Sequence, residues 1–79
     1  MRLINKLDRY LENKNYEIIL KDNSVNIINF SEIIDFSMNK ISVRCDNKII
    51  NVEGKNLIIS KMLDDELLVT GNISNLRIN

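Results

Sequence analysis

The chain has 79 residues and a mass of 9.2 kDa, and 44% of its residues are hydrophobic. Eleven basic side chains balance eleven acidic ones, so the formal net charge is zero. A chain of this length builds a single compact core, and its apolar content excludes a compositionally disordered protein. The balance of charge argues against a broad nucleic-acid surface, because such a surface needs clustered lysines and arginines.

One cysteine, Cys45, and the lack of histidine restrict the chemistry that the chain can support. A single cysteine excludes an internal disulfide, and structural zinc sites are usually built from cysteine and histidine. We therefore expect no cofactor and no metal site. The first residues lack the apolar run of a secretory leader, and no window approaches the roughly 20 apolar residues that span a bilayer. These features predict a cytoplasmic protein without a membrane span.

Residues 1–15 have the periodicity of an amphipathic helix. Apolar side chains recur on one face and charged side chains fill the remaining arc. The apolar stripe consists of Leu3, Ile4, Leu7, Tyr10 and Leu11. One interpretation is that the stripe covers the core of the domain, since short helices draw their stability from packing. The other is that it docks on a partner or on a membrane surface.

From residue 16 onward the period changes to two, which indicates β-strands. Turn residues separate short apolar runs: YEIILK, SVNIIN, EIIDFS, KISVRC, KIINVE, NLIISKML, ELLVTG and SNLRIN. No helical crossover lies between these runs, so neighbouring strands are expected to pair antiparallel. We predict a mainly all-β domain over residues 16–79, with seven to eight short antiparallel strands in a rolled sheet or small sandwich.

The only two glycines end two similar phrases, VEG and VTG, at Gly54 and Gly71. Gly54 follows a predicted strand and is expected to supply the positive φ of a tight hairpin turn. Gly71 lies where the parity of the apolar residues reverses, which predicts a bulge before Leu76 and the close approach of a neighbouring strand. The offsets around the two phrases disagree, so the sequence alone does not indicate a repeat.

Alternation is clearest in KISVRC, where Ile41, Val43 and Cys45 share one face. This parity predicts that Cys45 is a buried core thiol and not a nucleophile. The core positions that we would test first are Val43, Val52, Ile59 and Val69.

Six phrases follow one another from Val25 to the C-terminus: VNIIN, IIDFS, KISVRCDNKIINV, VEGKNLII, DDE and VTGNISNL. Their order and spacing resemble the YabP/YqfC family of sporulation proteins, especially the YqfC type. The matching positions are Asn29, Ser37, Val52, Gly54, Lys55, Asn56, Gly71 and Ile73. The resemblance implies a protein that is made in the mother cell of an endospore-forming bacterium, is needed for normal spore maturation, and has no catalytic activity.

The chain departs from the family pattern at Phe30, where a histidine is common, and at Asn72, where a lysine is common. A binding role of that histidine or lysine therefore does not carry over to this chain. With no histidine, the chain lacks the usual base at neutral pH, and we expect that it is not an enzyme.

The resemblance and the missing catalytic groups together predict a noncatalytic protein–protein interaction or scaffold module. It would work in the mother cell, in the cytoplasm or peripherally at the surface of the developing spore. The alternative is a small β-barrel that binds single-stranded RNA. Two tyrosines, two phenylalanines and no basic run give that alternative less support.

The mode of contact follows from the edges of a small sheet. Proteins usually protect edge strands with proline, lysine or bulges, but this chain has no proline and its last run, SNLRIN, has one charge. We predict contact through the C-terminal strand, at Leu76 and Ile78, or through the helical stripe at Leu3, Leu7 and Leu11. The partner is either a second copy of the chain or another protein, such as a sporulation membrane protein.

Overall fold

The structure, a computed structural model, describes residues 15–79, which form six β-strands. The strands are β1 Glu17–Lys21, β2 Ser24–Ile28, β3 Glu32–Phe36, β4 Lys40–Cys45, β5 Lys48–Met62 and β6 Glu66–Ile78. They form one antiparallel sheet in the order β1-β2-β6-β5-β4-β3. The all-β, antiparallel class is confirmed. The sheet is open, since β1 and β3 lie at its two ends.

Six strands replace the seven to eight that the sequence predicted. KIINVE and NLIISKML form the single strand β5, and ELLVTG and SNLRIN form the single strand β6. The predicted turn at Gly54 lies inside β5, where the register with β6 shifts between Glu53 and Gly54 and again between Lys55 and Ile58. Bulges bend a strand without ending it, and for this reason the eight runs gave too many strands.

The helix predicted for residues 1–15, with its stripe Leu3, Leu7 and Leu11, lies outside the described residues apart from Asn15. The backbone carbonyl of Asn15 accepts a hydrogen bond from Nδ2 of Asn29 at 2.7 Å. The boundary between a helical segment and the β domain therefore stays a prediction.

The sheet bends across the middle of β5 and β6, so that its two halves share one core. The first half contains β1, β2 and the start of β6, and the second half contains β3, β4 and the start of β5. Buried residues from both halves form one cluster: Val25, Ile27, Ile41, Val43, Cys45, Ile50, Val52, Leu57, Leu67 and Val69. The register shifts in the middle of β5 and β6 bend these strands there. The sheet is therefore bent and open, and it is neither a closed roll nor a pair of separate sheets.

Most of the predicted core positions are confirmed. Val43, Val52 and Val69 are fully buried, whereas Ile59 is only partly buried and packs against the cluster. Ile59 lies in the last part of β5, beside a register shift and paired with β6 alone. Cys45 is fully buried as its parity predicted. Burial and the neighbouring Asp46 carboxylate raise the pKa of its thiol to about 11.

Both glycines let β5 and β6 approach each other at the bend. A Cβ on Gly54 would clash with the backbone oxygen of Asn72, and a Cβ on Gly71 would lie 2.6 Å from the backbone oxygen of Asn56. Gly71 also has a φ of 140°, while Gly54 does not have a positive φ, so the predicted turn role of Gly54 is wrong. The predicted bulge before Leu76 is confirmed, and its extra residue is Ser74.

Candidate interaction edge

The last part of β6, Asn75–Ile78, pairs with β5 on one side only. On the other side of β6, β2 pairs with Glu66–Thr70. Beyond that point no strand of residues 15–79 lies beside β6. We call Asn75–Ile78 the β6 edge.

In every second residue of the β6 edge, both the backbone N–H and the backbone C=O point away from β5. Ile49 and Asn79 exchange both backbone hydrogen bonds, at 3.0 and 2.9 Å. Along an antiparallel strand, successive residues direct their N–H and C=O groups to opposite sides. Counting back from Asn79, the groups of Leu76 and Ile78 therefore face the free side, where an added strand could pair with them.

The β6 edge has fewer of the features that interrupt the other edges, since Arg77 is its one charge and its register is regular. β1 begins and ends on charged residues, Glu17 and Lys21. β3 contains a register shift between Ile33 and Asp35. The last part of β5 carries two register shifts and Lys61. By contrast, the pairing of β6 with β5 is regular throughout the β6 edge, which leaves it open to strand addition.

On the outer face of the β6 edge, the side chains bind one carboxylate of β5. Glu53 accepts a hydrogen bond from Nδ2 of Asn75 at 3.1 Å and another from Nη2 of Arg77 at 2.8 Å. The Asn75 bond, and then the bond and charge of Arg77, hold the pKa of Glu53 below its ordinary value. The single charge of the β6 edge is thereby compensated before any partner arrives.

The inner face of the β6 edge is apolar. Leu76 lies across from Val52 and packs against the core. Ile78 lies across from Ile50, which is fully buried, yet 50% of Ile78 is exposed. Ile78 therefore presents apolar surface at the end of the strand.

A groove runs between the β1–β2 turn and the start of the β6 edge. Its volume is about 580 Å³, and it is lined by residues 20–22 and 73–76. Leu20, Ile73 and Leu76 supply its apolar surface, while Lys21 and Asp22 supply charge. The predicted contact residues Leu76 and Ile78 thus lie on an edge with a groove beside it. Sequence reasoning missed residues 20–22, because nothing local to them indicates which part of the chain they approach.

Several family-motif positions meet at the bend. Gly54 lies against Asn72 and Ile73, and Gly71 lies against Asn56 and Leu57. Asn56 has a φ of 54°. These positions therefore lie where β5 and β6 approach each other closely.

The remaining motif positions lie in the core, in turns or on the surface. Val52 is buried, and Lys55 is exposed. Asn29 has a φ of 66° and donates its backbone N–H to the carbonyl of Asp65 at 2.6 Å. Oγ of Ser37 accepts the backbone N–H of Lys40 at 3.1 Å in the β3–β4 turn. A binding role for any of them stays a prediction.

Ionisable side chains do not gather into a metal site in the part of the chain that the structure describes. No group of three or more histidine, cysteine, aspartate or glutamate residues lies close enough to hold an ion within residues 15–79. In the same residues no helix is long and apolar enough to cross a membrane.

Comparison with known proteins identifies one family. The profile of the YabP family matches residues 12–79, which is most of the chain. Neither the curated proteins nor the solved structures gave a match.

Proposed function

The chain belongs to the YabP family, and we propose that it is a noncatalytic sporulation protein of the YqfC type. Its role would be that of a protein–protein interaction module or scaffold in spore maturation. Family membership supports the link to sporulation. The ordered phrases from VNIIN to VTGNISNL support the YqfC type.

The β6 edge is the observation that carries the interaction role. An added strand would pair with the outward backbone groups of Leu76 and Ile78. Its side chains would meet the apolar surface of Ile78 and the groove at residues 20–22. In strand addition the backbone bonds supply affinity and the alternate side chains supply specificity, and this edge offers both.

The site of action that we propose is the mother cell, either in its cytoplasm or peripherally at the surface of the developing spore. A sporulation membrane protein that exposes a strand to the mother-cell cytoplasm would fit this location. The family resemblance supports the mother cell as the compartment.

The alternative of RNA binding has less support from the charges. Arg44 pairs with Glu32 at 2.8 Å, Arg77 pairs with Glu53 at 2.8 Å, and Lys61 lies 3.8 Å from Glu66. A basic groove that follows a nucleic-acid backbone needs cations that are free to contact phosphates. Retention of the protein on heparin at low salt would nevertheless favour RNA over a protein partner.

Complementation in a spore former tests the proposed function. Deletion of the gene should reduce the yield of mature spores, and the wild-type gene should restore it. Ile78→Lys should fail to restore it, since a lysine at the β6 edge opposes strand addition.

Ile58→Lys is the matched control, because Ile58 is similarly exposed, at 60%, but lies on β5 outside the edge and the groove. It should restore the yield. Normal spores in the deletion strain would contradict the sporulation role, and equal rescue by both variants would contradict the use of the β6 edge.

A further inference from the structure

One residue of the β6 edge and one residue of the groove lie at equal sequence distances from Leu76. Ile78, which is 50% exposed, lies two residues after it. Ser74, which lines the groove, lies two residues before it. The groove also contains Leu20, which is 56% exposed. A two-fold axis at Leu76 would therefore bring the Ile78 of each copy against the groove of the other.

Backbone geometry restricts the registers in which two such edges can pair antiparallel. Residues that lie opposite each other in an antiparallel pair either both form or both lack the inter-strand bonds. The outward groups belong to Leu76 and Ile78, and the rule allows an axis at any residue of the β6 edge. An axis at Ile78 would leave only residues 77–79 of the two copies overlapping. An axis at Asn75 would carry the pairing through the Ser74 bulge as far as Asn72, whereas with an axis at Leu76 the pairing of the β6 edge ends at Ser74 itself.

Charge separates the remaining two registers. An axis at Arg77 would place the two arginines directly opposite each other, and like charges in that position destabilise a strand pair. An axis at Leu76 places Arg77 opposite Asn75, which has no charge. Arg77 is already paired with Glu53 at 2.8 Å, and the chain has a formal net charge of zero, so the two copies do not repel each other.

We propose that the partner at the β6 edge is a second copy of this chain, paired antiparallel about a two-fold axis at Leu76. The contact is isologous, since each copy both supplies an Ile78 and receives one. It joins the second half of each molecule into one continuous sheet. The inference rests on the proposed function, because it names the occupant of the same edge.

Sedimentation equilibrium of the full chain over a range of concentrations tests the dimer. The wild type should show a monomer–dimer equilibrium. Ile78→Lys should raise the dimer dissociation constant at least about tenfold, since it replaces buried apolar surface with a charge on both sides of the axis. Leu20→Glu should have a similar effect from the groove side. Ile58→Lys, which is outside the contact, should leave the constant unchanged.

Mixing the two impaired variants gives a sharper result. In a mixed dimer the lysine introduced at position 78 of one copy meets the glutamate introduced at position 20 of the other. The opposite side of the axis keeps Ile78 against Leu20. The mixture should therefore dimerise at least about as tightly as the wild type, although neither variant does so alone. This rescue is expected only if position 78 of one copy meets position 20 of another.

A disulfide at the axis reports the register. Directly opposed residues that share backbone bonds have Cα atoms about 5.5 Å apart, a separation that a disulfide can bridge. Leu76→Cys should therefore form a covalent dimer under mild oxidation, whereas Ile58→Cys should stay monomeric. Cys45 is buried and should not interfere.

A wild-type chain that is folded yet monomeric at every concentration would overturn the inference, as would a dimer that Ile78→Lys and Leu20→Glu leave unchanged. The proposed function is tested separately. A monomer whose Ile78→Lys variant still fails in spores points to a different strand donor and leaves the function standing. Normal spores in the deletion strain contradict the function whatever the oligomeric state.

Discussion

The β1–β2 hairpin pairs with β6 through β2, much as the β3–β4 hairpin pairs with β5 through β4. In the first half, the residue that precedes β2, Asn23, accepts the backbone N–H of Gly71 at 3.0 Å. In the second half, Asn39 precedes β4 and accepts the N–H of Gly54 at the same distance. The VTG and VEG phrases thus occupy equivalent places, each at the end of the part of β6 or β5 that pairs with a hairpin. The sequence alone did not indicate a repeat, and the structure shows that the two phrases correspond in position.

The two halves differ in the turn of the covering hairpin. The β1–β2 turn has two residues between paired Lys21 and Ser24, and it makes one backbone bond to β6. In the β3–β4 turn, Met38 and Asn39 lie between Ser37 and Lys40, and the carbonyl of Met38 accepts a second bond, from the N–H of Leu57 at 2.9 Å. The Met38 bond extends the contact with β5 beyond its glycine. The contact of the β1–β2 turn with β6 ends at Gly71, and the groove and the β6 edge lie beyond it.

The largest expected effect is that of the glycines at the bend. Gly54→Ala and Gly71→Ala should each lower the free energy of unfolding by about 3 kcal/mol or more, because backbone atoms occupy the space of the new methyl group. Chemical denaturation measures the change. Asn72→Ala, at an exposed neighbour, is the control and should cost little. Tolerance of alanine at one glycine but not at the other would break the equivalence of the two halves at the bend.

The second prediction compares the valines of the two phrases. Val52 and Val69 are both fully buried, and truncation of either to alanine should cost about 2 kcal/mol through lost burial and a residual cavity. Urea denaturation of the two variants should give losses within about 2 kcal/mol of each other, which is the scatter that one substitution shows between buried sites. A larger difference would show that the halves carry unequal shares of the core.

A third prediction concerns equivalent polar positions on β4 and β2. Oγ of Ser42 donates to Oδ1 of Asn51 at 2.7 Å, and both residues are 5% exposed. In the other half, Asn26 lies opposite Leu68, and its Oδ1 is buried without a partner among the described residues. Ser42→Ala should therefore cost about 1 to 2 kcal/mol. Asn26→Leu loses the bond from Nδ2 to Oε2 of Glu66 at 3.1 Å but also removes the buried unpaired oxygen, so it should cost less.

Thermal unfolding of the two variants beside the wild type distinguishes these effects. Equal losses would mean that Asn26 contributes as much as the Ser42 pair, which would contradict the unpaired state of its oxygen.

The smallest expected effect is a pH dependence of the stability, and it arises in the second half alone. Glu53 has a pKa below its ordinary value of 4.5, so the stability that it contributes is fully present above that value. That contribution is lost as the pH falls through the lower pKa of the folded state. The stability difference between the wild type and Glu53→Gln should therefore shrink between pH 7 and pH 3, as urea midpoints can show. Thr70→Val, at the equivalent uncharged position, should give a difference that does not change with pH.

Local pattern was sufficient for the strand class and for most of the core. Period-two alternation placed Cys45, Val43 and Val69 correctly, because parity within one strand decides which face a side chain takes. It failed at Gly54, where a glycine before polar residues has the same local signature in a turn and in a bulge. Ile59 was misjudged for a related reason, since the register shift beside it reduces its burial.

The candidate site was predictable only in part. Leu76 and Ile78 were identified because the composition of the last run lacks the usual protection of an edge. The groove was not, since it depends on the β1–β2 turn meeting β6 about fifty residues later in the chain, and no local pattern encodes that meeting. Which part of β6 that turn contacts can be stated only once the strand order is known.

The continuity of β5 and β6 determines how the protein unfolds locally. Each of these two strands runs through both halves, and the hairpin between them carries the longest ladder in the sheet. Neither half can then unfold as an independent unit, because its unfolding would disrupt the two strands, β5 and β6, that both halves share. In hydrogen exchange, the amides of the central ladder in both halves should report a single opening free energy, and the outermost strands β1 and β3 should exchange through smaller, separate fluctuations.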